Sequence, residues 1–184
     1  VIAVIGIGSS ASKALEQNID ELGPRTLSIF PSQRKRGGIS SGFNPLVIKD
    51  AEALAKNNDH NWLIAPAMSG NRQVKYENAN INGEINGYLP VNFEVRGFDL
   101  GHGRLFTEKE NLGRKKVVVL GSKVPSELKK SVKQLLGQNI LIAGTSYEVV
   151  GILKEEGSTG WQNPDDDLYV PLLTASQRIF GTDR

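Results

Sequence analysis

Apolar positions along the chain come in short runs, and their spacing divides it into helices and strands. Ala14, Leu15, Ile19 and Leu22 fall on one helical stripe over residues 9–22, which Gly23-Pro24 stops. Residues 25–32 alternate, with Leu27 and Ile29 on one face, and read as a strand. Residues 33–44 (QRKRGGISSGFN) are rich in Gly, Ser and Arg and read as a surface loop or the tip of a hairpin. A short helix follows over residues 48–56, with Ala51, Leu54 and Ala55 expected inward. WLIAPAM and RQVKY are strand-like runs interrupted at Ser69-Gly70-Asn71. Residues 80–89 form a weak strand whose two Asn-Gly pairs favour tight turns. Residues 90–103 read as irregular, and Thr107 caps a short turn.

The second half is more regular. Residues 116–120 (KVVVL) form a strand expected to be covered on both faces. A helix starts near Pro125 and runs through Leu128, Val132 and Leu135 to Gly137. Residues 139–142 and 147–153 are strands joined at 143–146 as a hairpin. Residues 155–166 are polar and turn-rich. A last strand at 168–172 carries Pro171, a mark of an edge or a strand end, and Thr174 is placed to cap a final short helix. The order of elements is α+β, without strict βαβ alternation.

Composition narrows the chemistry. The chain has 184 residues, no Cys, two His and a net charge of +2, which excludes a disulfide framework and a thiolate metal site. Only His60 and His102 remain as imidazole ligands, and a near-neutral balance supplies no global field for nucleic acid. Gly, at 20 of 184 residues, exceeds the usual share of roughly 7% and implies many turns. The chain starts at Val1 and its single Met is Met68, so a processed or excised segment is expected. Its apolar start, VIAVIGIG, is far short of the roughly 20 residues that span a bilayer.

Several residues invite functional readings. VIAVIGIGSSA matches G-x-G-x-x-A, with Gly6 for a tight turn, Gly8 admitting a pyrophosphate, and Ser32, Arg34 and Arg36 placed for a 2′-phosphate. The competing reading is a continuous helix, because residues 57–112 lack the βαβ units that a dinucleotide fold needs. Asp165, Asp166 and Asp167 form an acidic run without the alternating spacing of a cation loop, and read as a solvated turn. Arg34, Lys35 and Arg36 form a basic tip able to meet an anionic partner, and Trp161 is an exposed aromatic able to anchor one. Ser122 is outside any G-x-S-x-G context and reads as a turn residue, and neither His has a nucleophile at a triad-like spacing.

Taken in order, these pieces resemble the extracytoplasmic core domain of MacB/FtsX-like ABC transporter permeases. Residues 1–23 resemble the end of a first membrane helix continuing as a stalk. LVIKDAEALAK resembles L-T-x-x-D-A-E-A-L, with Val47 where a Ser or Thr cap is usual. APAMSGNRQVKY, GRLFTEKE, KKVVVLG, GQNILIAGTSYEVVGIL and DDDLYVPLLTASQRIFG follow the family's later motifs. The resemblance implies a two-part α+β domain. A porter-like part is made by residues 1–97 and 158–184, and a Sabre-like part by residues 98–157 is inserted between them. It also implies a non-catalytic, cofactor-free module on the periplasmic face of the inner membrane, anchored by flanking membrane helices, with Val1 and Arg184 close together. ATP hydrolysis in a separate cytoplasmic domain would move it, in a dimeric permease. Its implied partners are a periplasmic adaptor, an outer-membrane channel and an exported small molecule, peptide or lipid, but no nucleic acid. The alternative is an NADP-binding oxidoreductase domain using Gly6, Gly8 and Arg34.

Overall fold

The computed structural model describes residues 27–31, 35–36, 39–40, 46–59, 61–157 and 163–181. The chain divides into two units, Val1–Pro45 and Leu46–Arg184. In the first, β1 (Lys35–Arg36) pairs antiparallel with β2 (Ile39–Ser40), a hairpin tip where the Gly-rich loop suggested one. The strand expected at 25–32 does not form over residues 27–31. Leu27, Ile29 and Phe30 are exposed there and the backbone has no ladder partner. Alternation marks a candidate strand, but only pairing makes one.

The second unit opens with α1 (Ile48–Lys56). Its missing hydroxyl cap is replaced by Asp50, whose carboxylate accepts from the Val47 N–H at 2.8 Å. The expected inward face is absent: no residue of α1 is buried, and Leu54 is half exposed.

β3 (Ala67–Tyr76) and β4 (Ala79–Tyr88) then form one uninterrupted antiparallel hairpin in register from Ala67↔Tyr88 to Tyr76↔Ala79. The Asn-Gly pairs are not turns. A Cβ on Gly83 would lie 2.7 Å from Leu168, and one on Gly87 would lie 2.6 Å from Ala175. These glycines sit inside a strand because neighbouring side chains press on the backbone. The turn falls instead at Glu77-Asn78, with Glu77 at φ 48°.

The stretch read as irregular holds two elements. α2 (Pro90–Arg96) starts on Pro90 and ends at Gly97 in the left-handed region. β5 (Leu100–Gly103) follows. α3 (Glu108–Leu112) carries the expected Thr107 cap. β6 (Val117–Leu120) is buried throughout. The single helix expected from Pro125 is two short pieces, α4 (Val124–Glu127) and α5 (Val132–Leu135). Lys129 at φ 56° breaks the run, and Ser131 restarts it by donating its N–H to the Gln134 carbonyl oxygen Oε1. β7 (Asn139–Ile142) and β8 (Thr145–Leu153) form the expected hairpin around Ala143-Gly144, both with positive φ. β9 (Leu168–Pro171) is internal, between β4 and β6, with Pro171 at its end. α6 (Leu172–Thr174) runs into a π-helix, Ala175–Ile179. Thr174 does not cap from outside; its hydroxyl donates to the Lys115 carbonyl at 3.0 Å.

The order in the 7-stranded sheet is β5-β8-β6-β9-β4-β3-β7, and β7 pairs again with β8, so every strand of this sheet except β5 belongs to a closed ring. β6, β8 and β9 are walled on both faces. Val118, Leu120, Tyr147, Val149, Leu168 and Val170 point into one core. Val117, Val119, Val150, Leu153 and Tyr169 point into a second, with Tyr88, Phe93 and Phe106. In this aromatic core the Phe93 ring meets Phe106 edge-on at 5.3 Å and Tyr169 at 5.7 Å.

Candidate functional surface

The acidic run is tied into the fold by hydrogen bonds and an ion pair, and is not the solvated turn its composition suggests. Asp165 is 1% exposed. Its carboxylate accepts from the Glu156 N–H at 3.0 Å and the Gly157 N–H at 3.2 Å, and meets the Lys123 ammonium at 3.1 Å. Burial works to raise its pKa, but the Glu156 N–H and Lys123 outweigh burial and hold the carboxyl below the ordinary range. Backbone bonds complete the joint: Lys123 N–H donates to the Asp165 carbonyl, and Gly121 N–H to that of Asp167. Gly121 admits this approach because a Cβ there would lie 2.3 Å from the Asp165 oxygen.

The other two carboxylates do different work. Asp166 accepts from the Asn163 amide. Asp167 accepts from the Asn86 amide at 3.0 Å. Burial first, then Glu84 and Asp166, push the Asp167 pKa up to about 7, against the pull of Asn86 and Arg96. Among the described residues no group of three or more His, Asp or Glu is arranged to hold a metal ion.

A second surface escaped the reading of the chain. Arg104 clasps Glu110 through two guanidinium bonds of 2.8 Å, and this holds the Glu110 carboxyl down to about 2. Glu108 accepts from Asn111. Both acids of α3 are thus engaged, while Lys109, Arg114, Lys115 and Lys116 are exposed and form no ion pair with the described residues. Leu112 stands among them, also exposed. The signal was present as N-L-G-R-K-K, an apolar residue at a helix end beside three cations.

Most of the residues singled out beforehand lie outside the described part of the chain. Lys35 and Arg36 form β1. Arg34, Trp161, His60, Gly6, Gly8, the stalk segment 9–22 and both chain ends lie outside the described residues. His102 is exposed on β5, and Ser122 occupies the turn between β6 and α4, as a turn residue should.

Known proteins are similar to this chain in sequence and in fold. A family model for MacB-like periplasmic core domains matches residues 1–184. The "Macrolide export ATP-binding/permease protein MacB" of Bdellovibrio bacteriovorus is 32% identical over 184 residues, and that of Syntrophobacter fumaroxidans 29% over 187. These alignments take in 98% and 99% of this chain but only 28% and 26% of those proteins. Among solved structures, the extracellular domain of the noncanonic ABC-type transporter YknZ from Gram-positive bacteria matches with a TM-score of 0.63 at 24% identity, covering 75% of this chain and 68% of that one. The periplasmic region of MacB from Actinobacillus actinomycetemcomitans matches with a TM-score of 0.62 at 22% identity, covering 77% and 62%. The named relatives are permeases and transporter domains, which leaves the NADP-binding alternative without support.

Proposed function

The chain belongs to the MacB-like periplasmic core domain family, and from that premise we propose that it is the moving extracytoplasmic part of an ABC exporter, without chemistry of its own. ATP hydrolysis elsewhere in the permease would displace it and so reshape a compartment outside the membrane. Its partners would be an adaptor protein, an outer-membrane channel where the envelope has one, a second copy of the permease, and an exported small molecule, peptide or lipid. Membrane helices flanking the domain would anchor it. The single observation that carries this reading is the family match over residues 1–184.

The architecture suits such a task. Residues 98–157 contribute β5 to β8, and the rest of the described unit contributes β3, β4 and β9. The two groups meet through two short ladders, Val119↔Tyr169 with Leu120↔Leu168, and Val74↔Ile142 with Lys75↔Leu141. These narrow joins support a division into a porter-like part (residues 1–97 and 158–184) and an inserted Sabre-like part (residues 98–157). Both cores span the join, so a push on one part is carried to the other by packed side chains.

The test is export by the intact permease. Deleting residues 98–157 and rejoining the flanks should abolish efflux of a macrolide while ATP hydrolysis by the cytoplasmic domain persists. Unchanged efflux would refute the reading, as would micromolar binding of NADPH to the domain.

A further inference from the structure

The basic turn after α3 is bound into the fold more tightly than a solvated charge run needs to be. Arg114 N–H donates to the Asn111 carbonyl at 3.0 Å and Lys115 N–H to that of Glu110 at 2.9 Å. This is the double closure that usually ends a helix on a left-handed glycine. Here the left-handed residue is Arg114, at φ 49°, while its neighbour Gly113 sits at φ −76°, open to any residue. A glycine at 114 would adopt that conformation without the steric penalty a Cβ brings. Strain borne by an exposed arginine that forms no ion pair with the described residues points to work done by its side chain elsewhere.

The turn is also held from behind. Asn111 Oδ1 accepts from the Leu173 N–H at 3.1 Å, and the Lys115 carbonyl accepts from the Thr174 hydroxyl. The result is a fixed turn that carries exposed Lys109, Arg114, Lys115 and Lys116 on either side of exposed Leu112 in the sequence. Among the described residues the nearby acids are Glu110, paired with Arg104, and Glu108 and Glu148, which keep their charge. Glu108 meets only the neutral Asn111 amide, and Glu148 is an exposed residue whose backbone N–H donates to the Lys116 carbonyl, so two unpaired carboxylates face four cations. The turn therefore keeps a net positive charge.

We propose that residues 109–116 are a docking site for an acidic protein surface, with Leu112 as its apolar anchor and the four cations as its rim. This rests on the reading above that the domain works against a protein partner. An anchor ringed by charges is the layout of a protein interface, where a few buried side chains supply affinity and charge supplies orientation. A lipid surface fits less well. Polybasic lipid contacts of about four to eight cations sit beside a membrane helix or on an amphipathic helix with a broad apolar face, whereas α3 has 5 residues and Leu112 is its one apolar side chain.

The experiment titrates the isotope-labelled chain with a poly-L-glutamate of about 20 residues and, separately, with phosphatidylglycerol vesicles. Amide shifts should be confined to residues 107–116, fade as salt rises to about 0.3 M, and need at least tenfold more polyglutamate in the R114E/K115E double variant. Shifts spread evenly over the surface, or stronger binding to the vesicles, would overturn the proposal. Arg114→Gly separates strain from structure. It should raise Tm by roughly 2–4 °C while weakening polyglutamate binding; a fall in Tm would show that the arginine serves the fold. In the intact permease, a photoreactive benzoylphenylalanine at position 112 should cross-link to an Asp/Glu-rich peptide, and R114E/K115E should abolish that product. Cross-linking unaffected by the charge reversal refutes this surface while leaving export, measured as flux, to stand or fall independently.

Discussion

At the scale of single residues, the acidic triplet shows how far composition can mislead. Three adjacent aspartates read as solvated because isolated carboxylates shun the interior. Asp165 is buried all the same, because Lys123 and two backbone N–H groups take the place of water. Asp165→Ala should therefore destabilise the chain by about 1–3 kcal/mol, since it leaves the part-buried Glu156 and Gly157 N–H groups without their acceptor, and urea unfolding would measure it. Asp167 makes the opposite prediction with pH. Its carboxyl titrates near 7 in the folded chain and near 3.9 unfolded. Between about pH 4 and pH 7 the folded chain holds a proton that the unfolded chain has lost, so stability falls as pH rises through that window. Partial exposure limits the fall to about 1–2 kcal/mol. Asp167→Asn should flatten this part of the profile, and a variant that retains the whole fall between about pH 4 and pH 7 would refute the assignment. Glu110 and Asp165, held down by their partners, act with the reverse sign. Their stabilisation is present above the ordinary carboxylate range and is lost in stronger acid.

At the scale of elements, the legible pieces were those whose pattern is self-sufficient. The VVVL strand, the Ala143-Gly144 hairpin and the Thr107 cap rest on local rules, and each stands where the chain indicated. The β3–β4 hairpin did not read correctly, because Gly83 and Gly87 look like turn residues until Leu168 and Ala175 are seen pressing on them. Gly87→Ala should cost about 1–3 kcal/mol through overpacking against Ala175 and Met68. A Tm unchanged from the parent would mean that the neighbours yield freely. The helix expected from Pro125 to Gly137 failed for a related reason: Leu128 and Leu135 are both fully buried, and a left-handed Lys129 between them bends the chain so that both reach the core. Of the candidate surface, only the composition of the 109–116 turn was visible. That Arg114 carries the left-handed conformation, and that Glu108 and Glu110 are already engaged, follows from hydrogen bonds no linear pattern displays.

At the scale of the whole molecule, the shared cores make a strong claim about cooperativity. β6, β8 and β9 each face both cores, so neither core can open while the other stays packed. Hydrogen exchange under mild denaturant should report one common opening free energy for the central amides of β4, β6, β8 and β9. Separate openings for residues 98–157 and for the flanking strands would mean that the two parts move independently, and would weaken the case for a rigid lever.

Residue identity and order were enough for the family, the α+β class, the VVVL strand, the β7–β8 hairpin and the absence of cysteine chemistry. Each is carried by residue identity, order or local spacing, and survives without knowledge of what lies across the fold. The fold, through contacts between distant segments, places β9 inside the sheet, closes the ring with β7, buries an aspartate and pairs Glu110 with Arg104. The physical reason is one of range. Propensity and periodicity act over a few residues, whereas strand order, desolvation and charge pairing depend on groups far apart in the chain, such as Asp167 with Asn86 and Thr174 with Lys115.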